Sequence, residues 1–321
     1  MNYLKPTFAV LAFALFSSCS NDDFVPEPEI TTPIALKNYI FKRYDVTTSP
    51  NTVIDSINFQ LENNRIASSS GESQRTVNAM SSESTFTYLG NTLTTIRSFR
   101  NGAPVRNASF TYDSNGNLTS FISESINTAE QVSFYNRHLF THTQDTIFAQ
   151  WEQSDDGVNF DTSVLDIKIV LDQNNNRIYF EAFDHINGES RSIHSTYDTN
   201  NNLISEISTI SQGGVTVPGL TSTYTYENKT NPFAIISEAT YGRKTLMLLY
   251  HAQSDNLNGF NARSISPFAM QTFSSSFSDS ISFEIQHIFS SDHNIVSISD
   301  FRTVINHENL FNRFTQEYTL E

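Results

Sequence analysis

Along most of this chain, side chains suited to a core and side chains suited to water take turns one by one, and similar bends close each run. Ile57, Phe59 and Leu61 alternate with Asn58 and Gln60, and Ile281, Phe283 and Ile285 alternate with Ser282 and Glu284. Phe86 and Tyr88 flank Thr87, Phe110 and Tyr112 flank Thr111, and Tyr224 and Tyr226 flank Thr225. Phe314, Gln316, Tyr318 and Leu320 share one face near the C-terminus. A period of two predicts antiparallel strands with one face on a core and the other in water. Thr, Tyr, Phe and Ile suit such strands because branched or flat side chains pack against cross-strand neighbours.

The bends repeat their chemistry. Tyr112-Asp113-Ser114-Asn115-Gly116-Asn117-Leu118 and Tyr197-Asp198-Thr199-Asn200-Asn201-Asn202-Leu203 are joined by Leu171-Asp172-Gln173-Asn174-Asn175-Asn176-Arg177-Ile178. Degenerate copies run from Tyr88 to Leu93, with Gly90 and Asn91, and from Leu61 to Ile66, with Asn63 and Asn64. Asp accepts hydrogen bonds from the backbone two residues on, Asn and Gly tolerate positive φ, and an apolar residue restarts the next strand. Each copy predicts a β-hairpin. The Asp172 and Asp198 bends are 26 residues apart, room for two strands and two turns. The expected fold is all-β: an antiparallel meander of repeated hairpins over residues 37–321, one large twisted sheet curling toward an open barrel. Ala234 to Tyr250, after Asn231-Pro232, is rich in helix formers and reads as one short helix or a buried strand. Asn256 to Ser276, polar and containing Gly259 and Pro267, reads as a long loop.

The N-terminus reads as an address. Lys5 supplies a positive charge and Phe8 to Phe16 is an apolar run, too short to span a bilayer core of ~30 Å as a helix. Phe16-Ser17-Ser18-Cys19 resembles a bacterial lipobox and contains the only cysteine. The resemblance implies a signal peptide over residues 1–18, cleavage before Cys19, and diacylglycerol and acyl groups on that residue. Several chains give stable anchoring where one does not. Ser20-Asn21-Asp22-Asp23 is similar to the acidic sorting signal of surface lipoproteins in Bacteroidota-type bacteria. Residues 19–36, with Pro26, Pro28 and Pro33, read as an extended tether.

The Tyr112-Asp113-x-x-Gly116-Asn117-Leu118 motif is similar to the Tyr-Asp repeat of Rhs-type shell proteins and of many Bacteroidota lipoproteins of unknown function. The second group is the closer match, because it pairs a lipobox and acidic tether with loose Tyr-Asp hairpins. Members often carry a later segment like Asn228-Lys229-Thr230-Asn231-Pro232-Phe233. The resemblance implies a lipid-anchored antiparallel β meander in the outer membrane, exposed at the cell surface, and carries no activity with it.

Composition narrows the partner. With 19 Lys and Arg against 34 Asp and Glu, the formal net charge is -15, which argues against nucleic acid, whose phosphates need clustered cations. A single cysteine excludes an internal disulfide or a thiolate metal site. Asp-x-Asn-x-Asn occurs at Asp113, Asp172 and Asp198, the spacing of the first half of a calcium loop. The position that needs Gly in such a loop is Leu118 in the first copy, and hairpin bends account for all three. His138 and His142 are four apart, a metal spacing on a helix but not along a strand. No phosphate-cradling Gly loop, zinc-protease helix or nucleophile elbow is present, and no catalytic residue, cofactor or metal site is assigned.

Three segments, Asp55-Ser56-Ile57, Asp145-Thr146-Ile147 and Asp279-Ser280-Ile281, resemble an O-glycosylation acceptor, with Ser56, Thr146 and Ser280 as candidates; a turn-ending Asp before a strand explains them equally well. Trp151, the only tryptophan, is a candidate ligand contact beside Asp155 and Asp156, although a lone tryptophan more often belongs to the core. The resulting expectation is a cell-envelope lipoprotein acting as a structural or binding module for a glycan, peptide or envelope protein through its sheet faces. The alternatives are a glycan-directed hydrolase, which requires converging carboxylates or histidines, and an accessory lipoprotein of an outer-membrane nutrient-uptake system.

Overall fold

The computed structural model describes residues 34–48, 50–74, 79–161, 165–252, 266–275, 281–290, 295–305 and 309–320. The alternating runs within them are strands. β1 (Leu36–Asp45), β2 (Thr52–Glu62), β3 (Arg65–Ser73), β4 (Met80–Leu89), β5 (Thr92–Arg100), β6 (Ala103–Tyr112) and β7 (Leu118–Ile126) form a meander. It continues through β8 (Val132–Thr143), β9 (Thr146–Ser154), β10 (Leu165–Leu171), β11 (Arg177–Asp184), β12 (Glu189–Tyr197), β13 (Leu203–Gln212) and the long β14 (Val215–Thr230). Two helices, α1 (Pro232–Tyr241) and α2 (Arg243–Ala252), interrupt it before β15 (Phe268–Ser275), β16 (Ile281–Phe289), β17 (Val296–Ile305) and β18 (Asn309–Leu320).

All these ladders are antiparallel. β18 returns to β1, with Tyr39 opposite Tyr318 and Arg43 opposite Phe314, so the sheet curls into a nearly closed barrel with one seam. The seam lies between β15 and β16, which share no backbone ladder among the described residues. Side chains bridge it instead: the rings of Phe273 and Phe283 are 4.6 Å apart, and His287 Nε2 is 2.8 Å from the Met270 carbonyl oxygen.

Because successive copies of the bend are separated by an even number of strands, they all fall at one end of the barrel. This basal end is also where β1 begins and β18 finishes. In the Asp113, Asp172 and Asp198 bends the Asp Oδ1 accepts from the backbone N–H groups two and four residues on, and Oδ2 accepts from the side chain of the closing Asn. Gly116, Asn175 and Asn201 take the positive φ that closes each bend. Leu93, Leu118 and Leu203 follow their bends and are buried.

The closing Asn residues turn their remaining oxygens inward, onto the helices and the strand after them. Asn117 Oδ1 accepts from Lys244 Nζ at 2.6 Å, Asn176 Oδ1 from Arg243 Nε at 2.9 Å, and Asn202 Oδ1 from the Phe268 backbone N–H at 2.9 Å. Tyr88, which precedes its bend, donates to the Ile66 carbonyl oxygen at 2.7 Å, and the Ile66 N–H donates to Thr240 Oγ1 of α1 at 3.0 Å. The repeated motif is therefore a socket for the helix pair as well as a hairpin.

Asn231 caps α1, accepting from the Phe233 N–H at 3.1 Å, Pro232 occupies the first turn, and Gly242 (φ 75°) breaks the helix before α2. Leu246, Met247, Leu248 and Leu249 are all buried, so this turn of α2 is enclosed by the core. Two helices thus stand where the sequence suggested one or a strand. They pack against Phe110, Phe121, Phe140 and Ile169 on one side, while Phe233 and Ile236 meet Tyr39, Ile66 and Tyr318 on the other. The expected loop over 256–276 is corrected at its end: Phe268–Ser275 is a strand, completing the alternation of β14 through pairs such as Tyr224 with Phe273.

One outward row runs Asn38, Gln60, Ser68, Thr85, Arg97 and Asn107 across β1 to β6, each directly opposite the next. No helix among the described residues is long and apolar enough to cross a membrane, a statement that concerns helices alone.

Candidate functional site

Inside the barrel the rows change character with height. One row beside the helices is largely aromatic: Phe110, Phe121, His138 and Trp151 lie opposite one another on β6 to β9, with ring centroids 5.0, 6.0 and 6.4 Å apart. The next row runs Phe86, Ile96, Ala108, Ser123, Asn136 and Gln153. Above it, Phe59 is followed by Ser69, Ser84, Ser98 and Arg106. Highest, Ile57 faces Gly71, then Ser82, then Arg100.

Small side chains at adjacent positions on β3, β4 and β5 leave space that aromatic residues fill elsewhere, since interiors otherwise pack densely. The result is a cavity of about 320 Å³. Phe233 and Tyr241 of α1 meet its basal side, Phe86, Phe110 and Phe121 line its wall, and Ser82, Ser84 and Ser98 line its distal part. Ligand sites of this kind are concave, mostly apolar, and carry a few placed polar groups. A second cavity of about 340 Å³ shares Ile57, Ser82 and Arg100 with the first and reaches Arg43 and Met80, so the two meet toward the distal end. Gly71 is required here: a Cβ would stand 2.7 Å from the Ser56 carbonyl oxygen.

The polar groups are ordered. Ser84 and Ser98 hydroxyls are 3.0 Å apart, and Arg106 Nε donates to Ser123 Oγ at 2.7 Å. Burial holds the Tyr241 phenol neutral, well above its usual range. Burial also pushes the pKa of His138 down to about 4, so its imidazole is neutral near pH 7. The charged residues lining the inner cavity are Arg100, Arg106 and Glu83, and the register puts Glu83 in the outward set with Ser70. Asp55 and Glu72 both line the second cavity, but on opposite faces of the wall: Asp55 shares the face of Ile57, and Glu72 pairs with Ser56. No facing pair of carboxylates for glycan hydrolysis is formed in either cavity among the described residues. Among the same residues, no three His, Cys, Asp or Glu side chains gather to hold a metal.

The candidates from the sequence are dispersed. Trp151 points inward and is half-buried, stacked on His138 with its Nε1 donating to Asn136 Oδ1 at 3.3 Å. His142, on the same face as His138, lies 2.8 Å from the Leu118 carbonyl oxygen. Ser56 lies within β2, and Asp55 stands three residues after the strand begins at Thr52, so Asp55 does not end a turn there. Thr146 opens β9 as the pattern suggested. Cys19 and Ser280 lie outside the described residues. The residues missed by sequence reasoning are Ser69, Ser82, Ser84, Ser98, Arg100 and Arg106. Their signal is a row of small residues, visible only once the register is known.

No family model matches the chain, and no curated protein matches it. Among solved structures, it is similar to a porin-like protein from Bacteroides uniformis ATCC 8492, at 11% identity and a TM-score of 0.43, covering 91% of this chain and 99% of that one. It is also similar to a porin-like protein from Bacteroides vulgatus ATCC 8482, at 11% identity and a TM-score of 0.39, covering 87% of this chain and 97% of the other. Likenesses of this extent assign no activity to this chain.

Proposed function

We propose that this chain is a cell-envelope lipoprotein, held to the outer membrane by lipid on Cys19, whose barrel is a water-facing module that binds a small ligand in its interior. The observation that supports this reading is the polar outward row on β1 to β6 set against the apolar interior. A barrel that spans a bilayer turns an apolar band outward and keeps its lumen polar. Here the row from Asn38 to Asn107 is polar and faces outward, while Tyr39, Phe110, Phe121 and the helix pair fill the inside. Such a body stays at a membrane only through an anchor, and Phe16-Ser17-Ser18-Cys19 supplies one. Ser20-Asn21-Asp22-Asp23 favours the cell surface as its final position.

The test is acyl labelling of the protein in its own bacterium. Wild-type protein is expected in the membrane fraction, carrying radiolabelled palmitate, and the Cys19→Ala variant in the soluble fraction without label. A Cys19→Ala variant that stays in carbonate-washed membranes overturns the reading, because the wall itself would then be embedded. Protease added to intact cells reports the surface assignment: resistance of an otherwise cleavable body places it on the periplasmic side.

A further inference from the structure

The inner cavity has a polarity gradient along the barrel axis, and the gradient specifies a kind of ligand. At its basal side the lining is Phe110, Phe121, Phe233 and Tyr241, which offers no hydrogen-bond partner to a polar group other than one phenol. Two rows higher the wall carries the Ser84 and Ser98 hydroxyls level with Arg106, whose Nε donates to Ser123 one row below, and the most distal row carries Ser82 and the Arg100 guanidinium. Two arginines at one cavity stand out in a chain of net charge -15. Guanidinium is the side chain best suited to hold a carboxylate or phosphate, through paired N–H donors and a charge that does not titrate.

We propose that this cavity binds a single-chain amphiphile with an anionic head. The apolar chain lies against the phenylalanines and the helix pair, and the head group sits among Ser82, Ser98 and the two arginines. A cavity of about 320 Å³ is at the small end for ligand sites, which restricts the inserted part to one chain. The inference deepens the binding-module reading and rests on it. The anchor experiment above does not test it, and the following one does not test the anchor.

Isothermal titration of the mature soluble domain with three ten-carbon probes, each below its micelle concentration, decides the matter. Decanoate is expected to bind, 1-decanol more weakly, and decyltrimethylammonium weakest. Arg100→Gln is expected to weaken decanoate about tenfold, the scale of a charge-assisted hydrogen bond, and to leave decanol unchanged. Ser84→Leu with Ser98→Leu, which fills the cavity, is expected to abolish binding of every probe while the far-ultraviolet circular dichroism stays that of the parent. Equal binding of the cationic and anionic probes overturns the assignment of the head. Decanoate binding that survives the filled cavity, or no binding of any probe, overturns the assignment of the site.

Discussion

The two ends of the barrel are built on opposite principles. The basal end is crowded: bends with Asp and Asn tie strand to strand, Leu93, Leu118 and Leu203 are buried, and the Asn oxygens are used a second time on Lys244, Arg243 and the Phe268 amide. The distal end is made of omissions. Ser69, Ser84, Ser98 and Gly71 stand where the rows below carry aromatics, and the space that results is the candidate site. The most conspicuous motif of the sequence thus belongs to the scaffold, and the part with room for a ligand carries no motif. Local stability and binding need different things from a core. One needs filled volume, and the other needs volume left empty at tolerable cost.

This contrast is broken most forcefully by removing volume at the basal end. Leu203 is 0% exposed, and Leu203→Ala is expected to cost about 4 kcal/mol, the range for a large aliphatic side chain lost from a site that cannot collapse. Urea unfolding measures it. A loss under about 1 kcal/mol would mean the basal packing is as loose as the distal.

The next effect is a pH dependence, set where the two regimes meet. His138 is 4% exposed and its imidazole is neutral in the folded protein, with a pKa pushed down to about 4. In the unfolded chain it titrates near 6.5. Between those values the unfolded state binds a proton that the folded state does not, so stability falls as pH falls. The contribution is fully present above pH ~6.5, declines through the window, and is exhausted below about 4; its size is about 3 kcal/mol. His138→Phe is expected to flatten the stability profile between pH 6.5 and 4. A variant that loses stability over that window as steeply as the parent removes His138 as the cause. The half-buried Asp113 and Asp184, held below the usual carboxylate range chiefly by hydrogen bonds from Asn117 and Asn187, contribute stability that is lost only below this window.

A smaller loss is expected from Asn202→Ala. Asn202 is 0% exposed, donates to Asp198 and accepts from the Phe268 N–H, so truncation leaves a buried amide without its acceptor. About 2 kcal/mol is the scale of that penalty. Faster hydrogen exchange confined to the Phe268 amide and its neighbours on β15 would locate the effect. Protection unchanged at Phe268 would show that the bend serves the hairpin alone.

The legibility of these features follows from how far apart their causes lie in the chain. The Asp113 and Asp198 hairpins were readable because every bond in them spans at most four residues. So was the all-β class, because a period of two is local. The third copy of the bend shows the limit. Arg177 occupies the buried position that Leu118 and Leu203 hold in the other copies, and it is 0% exposed, with Ile178 turned outward. Its partner is Glu206, 2.8 Å away and 29 residues along the chain, itself fixed by the Tyr224 hydroxyl at 2.9 Å. No local pattern announces a buried ion pair of that span. Leu246 to Leu249 are ambiguous for another reason: a short run of consecutive apolar residues carries no period that separates a helix from a buried strand. The cavity was least legible of all. Ser69, Ser84 and Ser98 are ordinary alternating residues in sequence, and only the cross-strand register brings them level.

The smallest expected effect tests the comparison most directly. Ser84 and Ser98 share a hydrogen bond of 3.0 Å on the inner wall, beside empty space. In a packed core, deleting both hydroxyls would leave buried neighbours unsatisfied or open new voids. Here the space already exists and the two hydroxyls pair with each other, so removing both strands neither donor nor acceptor. The double substitution Ser84→Ala with Ser98→Ala is therefore expected to change stability by no more than about 0.5 kcal/mol. If it costs as much as Asn202→Ala, the distal wall is a load on the fold equal to the basal socket, and the division between a filled scaffold and a vacant site fails. If it is silent in unfolding yet weakens decanoate, the hydroxyls serve the ligand and not the barrel, which is the division the two ends embody.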